Sequence, residues 1–207
     1  MKNILFILLF LFVNSAVAVS ISPPAIHFEN GEKEKKITIT NSSLKPVAIY
    51  VYTENYDEAS EIDFITSSPS FLLPAGSTEV IFIRMIGKPR NDIETLSYLK
   101  ILELLEKREE QKEVSTVGLT IENTLKITHT PEGINMDDSR LILHKNGFKN
   151  TGPRYMQMLS YKCRDETVIK SQLLFEPYGS AVVEQELCDV ISYLESEYGV
   201  IKERTLD

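Results

Sequence analysis

The sequence predicts an all-β protein built from two β-sandwich domains in tandem, preceded by an export signal. Short segments of alternating apolar and polar residues recur along the chain, and Pro, Gly, Asn and Ser residues separate them as turns. A proline-containing segment at residues 130–133 divides them into two groups. Such spacing is typical of antiparallel sandwiches. The predicted domains are residues 19–130 and the smaller residues 131–207.

Residues 1–18 have the pattern of a signal peptide. Lys2 precedes an unbroken apolar run at residues 4–13, which is too short to span a bilayer, and Ala16-Val17-Ala18 follows. Small residues at these positions favour cleavage before Val19. A buried N-terminal helix is the alternative, but it would not require this order of features. We therefore expect an exported protein, and no later segment has the length and apolar character of a transmembrane helix.

Charge and composition argue against several classes of function. The chain has 22 Lys and Arg residues against 30 Asp and Glu residues, and its basic residues form no stripe, which argues against nucleic acid as a partner. His27, His129 and His144 lie too far apart for zinc-ligand spacing. Glu103 and Glu106 could act as paired carboxylates, but no nucleophile or orienting group accompanies them. We expect no metal, no cofactor and no enzymatic activity.

Cys163 and Cys188 are the two cysteines of the chain. In an exported protein an even pair indicates a disulfide, and closing this loop would contribute roughly 3 kcal/mol to stability. Two free structural thiols remain the alternative. A redox role is disfavoured because the sequence contains no CxxC motif.

Candidate strands occur on both sides of the boundary. They are residues 36–40, 47–53, 71–73, 79–86, 140–144, 155–161, 168–175 and 180–183, with a last candidate around residues 198–201. Residues 96–114 are ambiguous, because their leucines and charged residues fit an amphipathic helix as well as a strand followed by a charged hairpin loop.

The clearest alternation in the sequence is at residues 117–127. Val117, Leu119, Ile121, Leu125 and Ile127 share one face of an extended strand, while threonines and charged residues occupy most of the other face. A period of two that persists this long predicts a half-buried strand, and most such strands have no further role.

Five separated segments resemble the PapD-like periplasmic chaperones of the chaperone–usher pathway. They are residues 37–41 (ITITN), 73–77 (LPAGS), 94–98 (ETLSY), 124–131 (TLKITHTP) and 150–155 (NTGPRY). The resemblance implies two immunoglobulin-like domains and a periplasmic location. It also implies that residues 96–105 form the strand called F1, that residues 106–113 form the following hairpin loop, and that the alternating segment is the strand called G1.

The resemblance implies a chaperone that binds pilus or fimbrial subunits by donating its G1 edge strand and delivers them to an outer-membrane usher. Main-chain hydrogen bonds would provide affinity, and Val117, Leu119 and Ile121 would fill pockets in the subunit groove. In a free monomer these side chains would form an exposed apolar row, which favours self-association through the edge strand.

Lys126 falls where this family places the lysine that binds the C-terminal carboxylate of the subunit. The family also uses a first-strand arginine, but residues 20–28 contain neither Lys nor Arg, and Ala25 occupies the approximate position. Arg154 and Lys162 are candidate substitutes, although no spacing argument supports either.

Two other classes of function are compatible with tandem sandwiches. A structural pilus subunit or surface adhesin would carry a donor segment near its N-terminus, but residues 21–25 (ISPPA) are too rich in proline for that role. An exported enzyme or small-molecule binder is the other class, and no catalytic constellation in the sequence supports it.

Overall fold

A computed structural model of the chain describes residues 19–29, 31–56, 61–104, 120–135, 138–183, 188–197 and 200–206. Within these ranges the chain forms four sheets that build two β-sandwiches, so the predicted all-β fold is confirmed. The predicted signal peptide, the predicted loop at residues 106–113, and Val117 and Leu119 lie outside the described residues.

The N-terminal sandwich is formed by the first nine strands. They are β1 (Val19–Ser22), β2 (Ala25–Phe28), β3 (Glu34–Asn41), β4 (Val47–Asn55), β5 (Ile62–Thr66), β6 (Ser70–Leu73), β7 (Thr78–Gly87), β8 (Thr95–Leu104) and β9 (Thr120–His129). One sheet has the order β1-β3-β7-β5 and the other β2-β9-β8-β4-β6. The chain passes from the first sheet to the second at Pro23 and Pro24, which lack the N–H group that a continuous ladder would need.

The core of this sandwich is made of alternating residues from facing strands. Ile37 of β3 and Ile81 of β7 lie opposite each other in register, and both are fully buried. Phe28 and Phe64 pack against each other with ring centroids 5.3 Å apart. The alternation that predicted strands is therefore the alternation of buried and outward-facing side chains.

Strand β8 resolves the ambiguity of residues 96–114 up to Leu104. It pairs antiparallel with β9 from Thr95↔His129 to Leu104↔Thr120, and on its other side with β4. Because pairing on both sides satisfies the backbone groups of residues 97–104, sheet pairing overrides the local helical preference. The strand implied by the family resemblance is the one observed.

Two buried asparagines organise turns in the two sandwiches. The Asn41 amide group donates to the carbonyls of Lys45, Leu73 and Pro74, and its Oδ1 accepts from Ser43. In the second sandwich the Asn150 amide donates to the carbonyl oxygens of Arg154 and Glu176, while its Oδ1 accepts from the backbone N–H of Gly152. Both side chains are fully buried, so each satisfies backbone carbonyls that would otherwise lack a partner.

The C-terminal sandwich is formed by the remaining strands. They are β10 (Leu141–His144), β11 (Gly147–Asn150), β12 (Met156–Cys163), β13 (Val168–Phe175), β14 (Ser180–Val182), β15 (Val190–Glu197) and β16 (Val200–Thr205). Its sheets have the orders β10-β11-β14 and β13-β12-β15-β16. A disulfide joins Cys163 to Cys188, with their Cα atoms 5.8 Å apart, so the predicted bond is present.

Candidate functional site

Strand β9 is covered on one side along its whole length and on the other side only in part. β8 pairs with all of it, whereas β2 pairs in parallel with residues 126–129 alone, from Ala25↔Lys126 to Phe28↔His129. Among the described residues, residues 120–125 have no strand on that side. This edge presents backbone N–H and C=O groups to which another extended chain can pair.

The two faces of β9 have different surroundings. Leu125 and Ile127 face the core and are buried, and Ile121 lies on the same face but is half-buried. Thr124 and Lys126 lie on the other face. Of the three side chains predicted to contact a subunit, only Ile121 is described, and it shares the face of Leu125 and Ile127, as the alternation predicts.

A buried carboxylate marks the end of the core beside this edge. Glu103 of β8 lies opposite Ile121 in register and is 2% exposed. Its Oε1 accepts a hydrogen bond from Asn123 Nδ2 at 2.7 Å, while its Oε2 has no partner among the described residues. Burial raises the pKa of the Glu103 carboxyl above its ordinary value. The burial of Glu103 was not predicted, although this residue follows Leu99 and Ile101 on the core-facing side of β8.

Glu94, just before β8, ties the two sandwiches together. Its backbone N–H donates to the carbonyl of Pro153 at 2.8 Å. Its carboxylate accepts from Thr130 Oγ1 at 2.7 Å and from the backbone N–H of Tyr155 at 2.9 Å. Arg154 Nε lies 3.7 Å from the same carboxylate, and both side chains are nearly fully buried. This role of Glu94 was not predicted, although the residue begins the ETLSY segment that carried the resemblance.

Aromatic side chains pack across the same junction. The Tyr56 ring of the first sandwich makes an edge-to-face contact with Tyr155 of the second, with ring centroids 5.7 Å apart, and a similar contact with Tyr98. The Tyr56 hydroxyl donates to Glu176 Oε1 at 3.2 Å. Together with Glu94, these contacts fix how β9 and β12 face each other across a cleft.

Lys126 projects from β9 into this cleft. Its Nζ donates to Gln157 Oε1 of β12 at 2.5 Å. No carboxylate lies within 4 Å of Nζ in the described part of the chain. Loss of solvent lowers the pKa of Lys126, and the field of Glu94 partly opposes that shift. A half-buried cation whose described partner is a neutral amide oxygen keeps the chemical capacity to form a charge-assisted hydrogen bond with an anion.

The other charged groups of the cleft are already paired with opposite charges. Arg154 lies against Glu94, and Glu195 accepts from Arg204 Nε at 2.8 Å. Glu94, Arg154 and Glu195 line the same pocket as Lys126, and Arg204 does not. Arg154, a candidate substitute for the missing arginine, therefore does line the cleft. It lies there as the partner of the Glu94 carboxylate. Lys162, the other substitute considered, does not line this pocket.

Strand β2 presents only the small side chain of Ala25 to the cleft. Ala25 lies directly opposite Lys126 in register. A methyl group is therefore present at the approximate position where the family resemblance implies an arginine. His27 follows on the same face, with Nδ1 2.9 Å from Thr128 Oγ1. Burial, and then the nearby Arg154, lower the pKa of His27 to about 4. The imidazole is therefore neutral near pH 7.

The described residues include no cluster of three or more His, Cys, Asp or Glu side chains arranged to hold a metal ion. In the same part of the chain no helix has the length and apolar character needed to cross a membrane.

Comparison with solved structures finds proteins of the same fold. A chain from the Salmonella enterica SafA pilin in complex with the SafB chaperone is 17% identical, with a TM-score of 0.72 over 92% of this chain and 97% of that one. The periplasmic chaperone SfaE is also 17% identical, with a TM-score of 0.73 over 91% and 98%. A chain of the CsuC–CsuE chaperone–tip adhesion subunit complex of Acinetobacter baumannii is 14% identical, with a TM-score of 0.69 over 91% and 98%.

Comparison at the level of sequence identifies the family. No curated protein matches the chain. Residues 18–135 match the family described as "Pili and flagellar-assembly chaperone, PapD N-terminal domain". That match covers more than half of the sequence and includes β8, β9 and Lys126. The chain therefore belongs to the PapD family of pilus-assembly chaperones.

Proposed function

We propose that this chaperone acts in the periplasm by donating β9 to an incomplete pilus subunit, and that it then delivers the subunit to an outer-membrane usher. The observation that carries the proposal is the half-covered edge of β9. Within the described residues, no strand pairs with residues 120–125 on one side, and the covering strand β2 begins opposite Lys126. The uncovered part of this edge therefore ends beside Lys126, which has no acidic partner within 4 Å among the described residues.

Backbone pairing supplies the first part of the interaction. An extended segment added at residues 120–125 would form main-chain hydrogen bonds that do not depend on its side chains. β8 holds the opposite side of β9 along its whole length, which keeps the free edge extended before a partner arrives. Preorganisation of this kind lowers the entropic cost of binding.

Side chains supply the second part. Ile121 lies where the core of the chaperone ends, and by sequence Val117 and Leu119 continue its face of the strand. We infer that these three side chains enter the groove of the subunit. In the absence of a subunit the same row would allow two copies to associate, which analytical ultracentrifugation over a range of concentrations would detect.

The direction of the added strand follows from the position of Lys126. If the C-terminal carboxylate of the subunit binds Lys126 while the preceding residues pair with residues 120–125, that strand must run parallel to β9. β2 already pairs with β9 in parallel on this side, starting at Ala25. The subunit strand would thus lie in line with β2, and the small side chain of Ala25 leaves space for the carboxylate.

The partners of structurally similar proteins support a pilus subunit as the ligand. One matching structure is a complex of a pilin with a chaperone, and another is a complex of a chaperone with a tip adhesion subunit. The same two-sandwich fold occurs in both, at TM-scores of 0.72 and 0.69. We infer that the cognate ligand here is a subunit of an extracellular fibre.

Co-purification from the periplasm tests the proposal. A pilin-like subunit, identified by mass spectrometry, should co-purify with the wild-type chain. It should not co-purify with the double variant Leu119→Glu and Ile121→Glu. The double variant Val80→Glu and Phe82→Glu is the matched control, because it places the same two charges at exposed apolar positions on the other sheet. Capture that survives the double variant would contradict strand donation. Recovery of the chain inside purified fibres would instead favour a structural subunit.

A further inference from the structure

The carboxylate site centred on Lys126 is incomplete as a two-donor anchor. A carboxylate has two oxygens, and it is held in a defined orientation only when donors reach both of them. A single ammonium group holds a carboxylate as a point charge and does not fix its plane. Ala25, directly opposite Lys126, has no side-chain donor.

Arg154 is poorly suited to supply the second donor. Its Nε lies 3.7 Å from Glu94 Oε1, and the Arg154 and Glu94 side chains are only 5% and 1% exposed. Turning the guanidinium toward an incoming carboxylate would leave Glu94 buried beside fewer positive charges, which is strongly unfavourable. The second donor must therefore come from another residue of the pocket.

Gln157 has a donor group close to Lys126 that has no partner in the described part of the chain. Lys126 Nζ can only donate, so the atom of Gln157 that faces it must be the carbonyl oxygen Oε1. The amide group Nε2, which carries two N–H donors, is attached to the same carbon and makes no hydrogen bond within the described part of the chain. Gln157 lines the same pocket as Lys126 and is half-buried.

We propose that Gln157 is the second donor of the carboxylate anchor and takes the place of the absent first-strand arginine. One carboxylate oxygen accepts from Lys126 Nζ and the other from Gln157 Nε2. Because Lys126 belongs to the first sandwich and Gln157 to the second, the bound carboxylate is held from both sides of the cleft. This inference rests on the proposed function, since it requires that a carboxylate reaches Lys126.

A cycle of two peptides and two proteins tests the role of Gln157. The peptides are a synthetic strand of alternating threonine and valine residues, with N-terminal lysines for solubility, ending in a free carboxylate or in an amide. Calorimetry compares the affinity lost on amidation for wild type and for Gln157→Met. We expect the loss to be about tenfold smaller in the variant, because one hydrogen bond to a charged group is missing. Gln172→Met, at an exposed position on β13, is the control and should behave as wild type.

The sign of the effect separates the alternatives. If Gln157 only occupies Lys126 in the free protein, its removal will free the lysine, and the loss on amidation will become larger. An equal or larger loss in Gln157→Met overturns the role of Gln157 and leaves the Lys126 anchor intact. Equal binding of the two peptides by wild type overturns the anchor itself. As a direct readout, the side-chain amide resonances of Gln157 should shift with the acid peptide and not with the amidated one.

Discussion

Replacing Glu94 by glutamine should loosen the junction between the two sandwiches. The Glu94 carboxylate accepts from Thr130 on one oxygen and from the backbone of Tyr155 on the other, and it lies against Arg154. Glutamine keeps one acceptor but turns an N–H group toward a donor, and it removes the negative charge that balances the buried guanidinium. We expect a loss of about 3 kcal/mol in the free energy of unfolding, the lower end of the cost of breaking a buried ion pair.

Urea unfolding followed by fluorescence and by far-ultraviolet circular dichroism measures this loss. If the junction couples the two sandwiches, wild type should unfold in one transition that both probes report at the same urea concentration. In the variant each sandwich should unfold more independently, so the midpoints reported by the two probes should differ. The matched control is Glu122→Gln, which removes an exposed carboxylate paired with Lys100 and should change stability little. A loss for Glu94→Gln no larger than for this control would refute the reasoning. A double variant with Arg154→Met should recover part of the loss, since no buried cation then remains unbalanced.

Three further changes test other parts of the structure. Replacing Cys163 and Cys188 together by serine should lower the free energy of unfolding by roughly 3 kcal/mol, and added reductant should then have no further effect on the urea transition. Because burial and the nearby Arg154 lower the pKa of His27 from 6.5 to about 4, the unfolded chain binds more protons between these values. Wild type should therefore lose about 2 kcal/mol more than His27→Gln when the pH falls from 7 to 5, and equal losses would contradict the lowered pKa. The raised pKa of Glu103 has the opposite sign, so acidification should shift the stability difference between wild type and Glu103→Gln in favour of wild type.

Most of the fold follows from alternation, but short strands such as β1, β2 and β5 alternate over too few residues to be identified on that signal alone. β15 was not recognised because Ser192 and Glu195 are buried in a strand that reads as half polar. Ser192 donates to Glu203, and Glu195 accepts from Arg204 of the adjacent strand, so their burial depends on pairs made across β16. A pattern in one segment cannot reveal partners supplied by another.

The candidate site could likewise be predicted only where a single segment of the sequence carries the signal. The family resemblance predicts the role of Lys126 on β9 and places Ala25 approximately where the arginine is missing, and the observed register places these two residues opposite each other. Gln157 and Glu94 were not predicted as parts of the site, because their roles depend on how two sandwiches meet. The packing of Tyr56 against Tyr155 fixes that meeting, and nothing in either local sequence encodes the pair.

The start of β2 beside Lys126 would also control which polypeptides the chaperone accepts. A strand added along residues 120–125 in the parallel direction reaches Ala25 and Pro24, where the edge is already occupied by the chaperone's own backbone. An internal segment of an unfolded protein would have to continue past this point and would collide with β2, whereas a chain that ends there would fit. The protein would then select for a free chain terminus, so that one more residue at the end of the correct subunit would cost more affinity than many changes along its strand.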